Sequence, residues 1–183
     1  MTGFVAMAAL MKPDYAERAR DWRVGAVVYQ VFVDRFAPSQ SLAGKEAAYA
    51  APKRLRAWGE LPSPGRPPGA AGVWSHELDF WGGDLRSVGG KLEYVRGLGA
   101  DVLYLTPIFA SLTNHKYDAQ DYRQIAPEFG TVQDLKDLAS GLHRRGMKLI
   151  LDGVFNHMGR TSPMFERARR DPASREWDWF FFG

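Results

Sequence analysis

The chain has 183 residues, 45% hydrophobic and 25% charged, with a net charge of +3 and no cysteine. That length can bury a full core, and the missing cysteines exclude disulfides and thiolate chemistry. Basic residues are scattered apart from short runs such as His143-Arg144-Arg145 and Arg167 to Arg170, which read as solvated helix faces rather than a nucleic-acid footprint.

In chain order, the N-terminal MTGFVAMAALMK has no Lys or Arg before its short apolar stretch, so a secretory signal is not expected. No apolar run reaches membrane-spanning length, and a cytoplasmic protein is expected. Residues 1–23 read as an N-terminal extension. Residues 24–33, VGAVVYQVFV, predict a strand buried on both faces. Residues 37–75 are rich in Pro, Gly, Ala and Ser and predict a long loop, a domain linker being the alternative. Residues 85–98 predict a helix with Leu85, Val88, Leu92 and Val95 on one face; Gly89-Gly90 weakens it. Residues 101–106, DVLYLT, predict a second buried strand closed by Pro107. Residues 132–145 predict a helix capped by Thr131, with Asp134 in its first turn, a stripe of Leu135, Leu138 and Leu142, and Gly146 as its stop. A third strand follows from Met147, and Ser162-Pro163 opens a short helix.

Strands alternating with helices predict parallel strands joined by right-handed crossovers. Helix-to-strand links are short and strand-to-helix links are long, so the long loops gather at the strand C-terminal ends, where the active sites of β/α barrels lie. Gly82-Gly83 opens no GxGxxG and no glycine turn follows the first strand, which disfavours a doubly wound dinucleotide fold. The expected fold class is α/β: a partial (β/α)8 TIM barrel, about the first three β/α units. A whole barrel takes roughly 250 residues. Residues 24–183 therefore read as the N-terminal portion of the barrel of a longer polypeptide. The apolar run at 177–182 would be exposed unless packed.

The third strand ends on an acid, an amide and an imidazole: Asp152, Asn156 and His157. Such a set at a strand mouth suits a polar ligand. All three types also coordinate cations, although their spacing matches no zinc motif. On local residues alone, Tyr117 reads equally well as a packed loop aromatic and His157 as a satisfied histidine.

Four segments resemble the α-amylase family of glycoside hydrolases: YQVFVDRF at 29–36, FWGGDLRSVGGKLEYVRGLGADVLYLTPIF at 80–109, NHKYDAQDYRQIAPEFGT at 114–131 and LDGVFNH at 151–157. NHKYD and the closing DWFFFG are most similar to the neopullulanase, cyclomaltodextrinase and maltodextrin glucosidase branch. The resemblance implies that His157 contacts the sugar at the cleavage subsite and Tyr117 stacks on the same ring. It implies that Asp152 and Asn156 buttress that end and His115 lines it, whereas Asp34, Arg35 and Asp121 are structural. It implies a retaining glycoside hydrolase acting on α-1,4-glucosidic bonds of maltodextrins or related α-glucans. A non-catalytic amylase-like binding or assembly protein and an α-glucan transglycosylase are the alternatives. The family's paired carboxylates follow its fourth and fifth strands, with a third acid after the seventh, so no catalytic residue is expected here and the chain alone is expected to be inactive. The expected partner is an α-glucan oligosaccharide, with no nucleic acid and no membrane; oligomeric state is open. Relatives of that branch usually carry an N-terminal β-sandwich, and none is expected in the residues before Val24. Many also bind calcium through an Asn/Asp-rich loop and the aspartate of GGD. Asp84 is present but 37–50 lacks the other ligands, so no cofactor is expected and structural calcium is disfavoured.

Overall fold

A computed structural model describes residues 15–69 and 72–182. The reading of residues 1–12 for a signal segment falls outside the described residues. In chain order the described elements are α1 (Tyr15–Arg20), β1 (Val28–Val31), β2 (Arg54–Leu55), β3 (Asp79–Phe80), α2 (Leu85–Gly89), α3 (Leu92–Gly97), β4 (Val102–Leu105), β5 (Phe109–Ser111), β6 (Ala119–Ile125), α4 (Val132–Arg144), β7 (Lys148–Leu151) and α5 (Pro163–Arg170). Short 3-10 turns fall between them. Among the described residues no helix is long and apolar enough to cross a membrane.

The centre is a parallel sheet in the order β1-β4-β7. Val28 pairs with Val102 and Val102 with Lys148, so all three strands start at one level. On one face Leu103 and Leu105 of β4 meet Leu85, Val88, Leu92 and Val95 of α2 and α3 and Leu138 and Leu142 of α4, all buried. Each fully buried leucine or valine contributes about 1.5–3 kcal/mol relative to an exposed one, so this layer holds the sheet to its helices. Tyr104 alternates with these leucines on β4 and is half-buried.

The first predicted strand is corrected in length and burial. Only Val28–Val31 are strand, and Val24, Val27 and Val28 are 51%, 53% and 50% exposed. The cause is that, among the described residues, β1 is an edge strand paired on one side only. Its continuation turns into a 3-10 segment at Val33–Arg35, where the buried Asp34 carboxylate accepts the N–H groups of Trp81 and Gly82. At this corner a Cβ on Gly83 would collide with the Val33 carbonyl, so glycine is required by close backbone approach.

The predicted helix over 85–98 is two helices. Gly90 closes α2 with its N–H on Arg86 O (2.9 Å), and Lys91 leaves the helical region at φ −110° and ψ 9° before α3 begins. Two consecutive glycines lack the propensity to carry a helix across. The helix over 132–144 and the Ser162-Pro163 start are as predicted. The Thr131 hydroxyl accepts from Asp134 N–H, and the Ser162 hydroxyl from Met164 N–H.

The described part of the loop over 37–75 is irregular at 62–69, yet it is held by hydrogen bonds and a short strand pair. β2 pairs with β3 in parallel, and the buried Asp79 carboxylate takes Arg54 at 2.8 Å, Arg56 at 3.1 Å and the Ser63 hydroxyl at 3.0 Å. The antiparallel pair β5-β6 has no counterpart in the sequence reading. Its register slips twice, which erases the alternation that marks a strand. The 177–182 run packs in part: Trp177 stacks on Phe182 with centroids 4.2 Å apart, and Phe165 meets Phe180 edge-on, while Phe181 stays exposed.

Candidate functional site

The turn joining β5 to β6 and the segment leaving β7 meet at the C-terminal end of the parallel sheet. Asp152 extends the ladder, its N–H donating to Leu105 O at 3.1 Å. Asp152 Oδ2 accepts two phenolic hydroxyls, Tyr104 at 2.6 Å and Tyr117 at 3.0 Å. His157 Nε2–H donates to Tyr117 O (3.1 Å), and its Nδ1 faces the Asn156 amide at 3.3 Å. His115 Nδ1 accepts from Tyr117 N–H (3.1 Å), and the His115 and Tyr117 rings lie 5.8 Å apart. All five residues singled out from the sequence are thus brought together. Tyr117, Asn156 and His157 are exposed, and Asp152 and His115 half-buried. A cleft of about 320 Å³ adjoins them, walled by Trp74, Glu77, His115, Tyr117, His157 and Arg160.

The turn 111–118 is rigid for reasons its sequence conceals. The Asp118 carboxylate gathers the N–H groups of Leu112 (3.1 Å) and Thr113 (3.3 Å) and the Thr113 hydroxyl. Lys116 sits at φ 66°, a left-handed conformation uncommon outside glycine. Its side chain is wholly buried, with Nζ 2.9 Å from Glu128 Oε1, and Lys53 shares that carboxylate oxygen. The ammonium also lies over the Phe80 and Phe129 rings, at 4.9 and 5.0 Å. This buried plug pins the backbone between His115 and Tyr117.

The opposite segment is fixed just as firmly. The Tyr122 hydroxyl lies between the carbonyls of Val154 and His157, 2.9 Å from the latter. Gly159 N–H donates to Ala119 O at 2.8 Å, and a Cβ there would strike the Asp118 carbonyl. His115 Nε2 meets Glu77 Oε1 at 3.3 Å, and Glu77 Oε2 accepts Trp74 N–H at 2.6 Å, so the 74–77 turn is tied to the same ring.

The electrostatics follow from these contacts. The hydrogen bond to the Asp152 carboxylate, with burial, pushes the Tyr104 phenol up to about 12. Burial, then the same carboxylate, raises Tyr117. Both phenols stay protonated and hold Asp152 as an acceptor, leaving it one oxygen for a ligand hydroxyl. The result is an exposed aromatic face, an imidazole and a carboxylate around one opening, a set able to stack on an apolar ring face and bond hydroxyls at its rim.

Tyr104, Glu77 and Tyr122 were not singled out from the sequence. A signal existed for Tyr104: it is the only polar-tipped residue in VLYL and faces opposite to Leu103 and Leu105. Glu77 and Tyr122 carry no local signal for the site, since the site residues they meet, His115 and His157, lie 38 and 35 residues away.

Residues 30–183 match the Alpha-amylase family, described as alpha amylase, catalytic domain. The chain is 42% identical over 169 residues to an amylopullulanase of Thermoanaerobacterium saccharolyticum, covering 86% of the chain and 13% of that protein. It is 40% identical over 164 residues to an intracellular maltogenic amylase of Bacillus subtilis, covering 89% of the chain and 25% of that protein. The chain thus spans a quarter or less of the length of either relative. Among solved structures it superposes on the ligand-free cyclic α-maltosyl-(1→6)-maltose hydrolase of Arthrobacter globiformis with a TM-score of 0.70 and 35% identity, over 87% of the chain and 32% of the enzyme. These neighbours imply a (β/α)8 barrel of which the described residues form a part. The chain belongs to the alpha-amylase family and corresponds to the N-terminal part of its catalytic domain.

Proposed function

We propose that the catalytic domain to which these residues contribute hydrolyses α-1,4-glucosidic bonds of maltodextrins with retention, and that this chain, as about its first three β/α units, supplies the wall that holds the glucosyl ring. The observation that carries this is the convergence of Tyr117, Asp152 and His157 at the C-terminal end of the parallel sheet. Tyr117 offers its ring face for stacking, His157 bonds ring hydroxyls, and Asp152 and Asn156 fix those two side chains, with His115 lining the opening. The names of its relatives, amylopullulanase and maltogenic amylase, favour an α-glucan as substrate. The name of the second favours an intracellular location. The chemistry needs a nucleophile and a general acid on either side of the bond. Asp152 is not assigned to either role: its Oδ2 is taken by two phenols, and the family resemblance gives it a supporting position.

The test is sugar release from maltotriose by the complete catalytic domain, with the anomer formed first read by proton NMR. Release of the α-anomer is expected. Conversion of trehalose or sucrose without release would overturn hydrolysis in favour of a transglycosylase. Binding without any turnover would favour a non-catalytic homologue.

A further inference from the structure

Asp84 opens α2 and stands where the family resemblance implies a calcium ligand. Its side chain is 1% exposed, and a buried carboxylate is costly without partners. This chain supplies every partner seen. Ser87 N–H donates to Oδ1 at 2.7 Å. On Oδ2 the Ser39 hydroxyl donates at 2.6 Å and the Lys45 ammonium at 2.5 Å. The lysine side chain is itself only 20% exposed.

Calcium takes six to eight oxygen ligands at about 2.3–2.6 Å. Residues 37–50 contain neither aspartate nor asparagine. Their single carboxylate, Glu46, accepts from Gly44 N–H in its own loop at 2.9 Å. Among the described residues no three His, Cys, Asp or Glu side chains gather where they could hold a metal ion. These residues do not fit calcium: a dication would meet a fixed ammonium and a lone carboxylate already neutralised by it.

The lysine is aimed by its backbone. Lys45 N–H donates to Leu42 O at 2.9 Å, and Lys45 O accepts from Ala48 N–H at 2.9 Å. The same loop is tied to the same corner by Ser39 N–H on Gly82 O (3.2 Å) and the Ser87 hydroxyl on Ala37 O (2.9 Å). A bridge between Pro38 and Gly83 adds to this.

We infer that Lys45 is a tethered cation: its ammonium does at Asp84 what a divalent metal would do, closing residues 37–50 onto the start of α2 without calcium. The consequence is a loop whose stability ignores both calcium and chelators.

The experiment compares thermal unfolding of the complete catalytic domain with that of its Lys45→Met, Lys45→Arg and Asp84→Asn variants, each in millimolar calcium chloride and in EDTA, and titrates calcium chloride into each calorimetrically. The native domain and Asp84→Asn are expected to respond to calcium alike. Lys45→Met is expected to lower Tm by roughly 3–6 °C, and Lys45→Arg to retain most of the native Tm. A calcium-dependent rise in Tm or a calcium affinity that Asp84→Asn removes, or a Lys45→Met domain that melts like the native one, would overturn the inference. If Lys45→Met does not fold, the calcium titrations and the Lys45→Arg melt decide, and a Lys45→Arg domain that does not fold either would overturn the inference.

Discussion

At the scale of single residues, the chain places its charges where the backbone needs acceptors. Asp34 is wholly buried and accepts two N–H groups from the Trp81-Gly82 corner. Burial raises its carboxyl to about 6, opposed by those N–H groups and by Arg35. A raised folded pKa means that Asp34 adds stability below its unfolded value near 3.8, and that this share is lost as pH rises through about 6. Two pKa units correspond to about 3 kcal/mol. The difference in urea-unfolding free energy between the native chain and Asp34→Asn is therefore expected to shift against the native chain by about 2–3 kcal/mol between pH 4 and pH 7. A difference flat in pH would remove Asp34 as the titrating group. Tyr104 is the second residue to probe. Its phenol is one of two on Asp152 Oδ2, and a hydrogen bond to a charged group contributes about 1.5–3 kcal/mol. Tyr104→Phe frees Asp152 and, through it, Tyr117. In the complete domain maltotriose is expected to bind about tenfold more weakly, a loss of roughly 1.4 kcal/mol, with the secondary structure read by circular dichroism unchanged.

At the scale of elements, helix ends decide where the layers sit. In α4 the Thr131 hydroxyl donates to Asp134 Oδ2 at 2.7 Å and accepts Asp134 N–H at 3.2 Å, and Arg86 reaches the same carboxylate at 2.6 Å from α2. This cap therefore joins two helices. Thr131→Ala is expected to cost about 1–2 kcal/mol in denaturant unfolding. The opposite change applies at the break between α2 and α3. Gly89 lies in helix, and a Cβ there would first meet Leu138 at 4.0 Å, an ordinary contact. Gly89→Ala is expected to stabilise by about 0.5–1 kcal/mol. A destabilisation would mean that the break needs glycine at 89 as well as at 90.

At the scale of the whole molecule, the sheet has two open sides among the described residues. β1 and β7 are its edges, and Val28, Ile150 and Leu151 are exposed along them. Beside the sheet mouth Phe155 is 86% exposed, on an aromatic surface with Trp179 and Phe181. Unpaired edges next to apolar surface favour association. The purified 183-residue chain is expected to elute ahead of its monomer volume on size exclusion. Without paired carboxylates around the glucosyl position, it is also expected to release no sugar from maltodextrin. Release that Asp152→Ala or His157→Ala abolishes would overturn that expectation; release persisting in both variants would indicate a contaminant.

Sequence by itself determined the parallel β/α order, the α4 and α5 caps and the placement of Asp152, Asn156 and His157 at the end of the third strand, whereas Tyr117 and His115 were singled out through the family resemblance. Periodicity, capping chemistry and short motifs are local properties, and each of these features is written within a few residues. The four matching segments added the family because each pairs a local pattern with its spacing. Only the tertiary structure decided the rest. The β5-β6 pair has no alternation to read, because its register slips and its turn is held by Asp118 and by the buried Lys116–Glu128 pair. Tyr104, Glu77 and Tyr122 join the site through partners far along the chain. Lys45 meets Asp84 across 39 residues. Contacts of that span follow from how layers pack, which fixes distances that no stretch of sequence records.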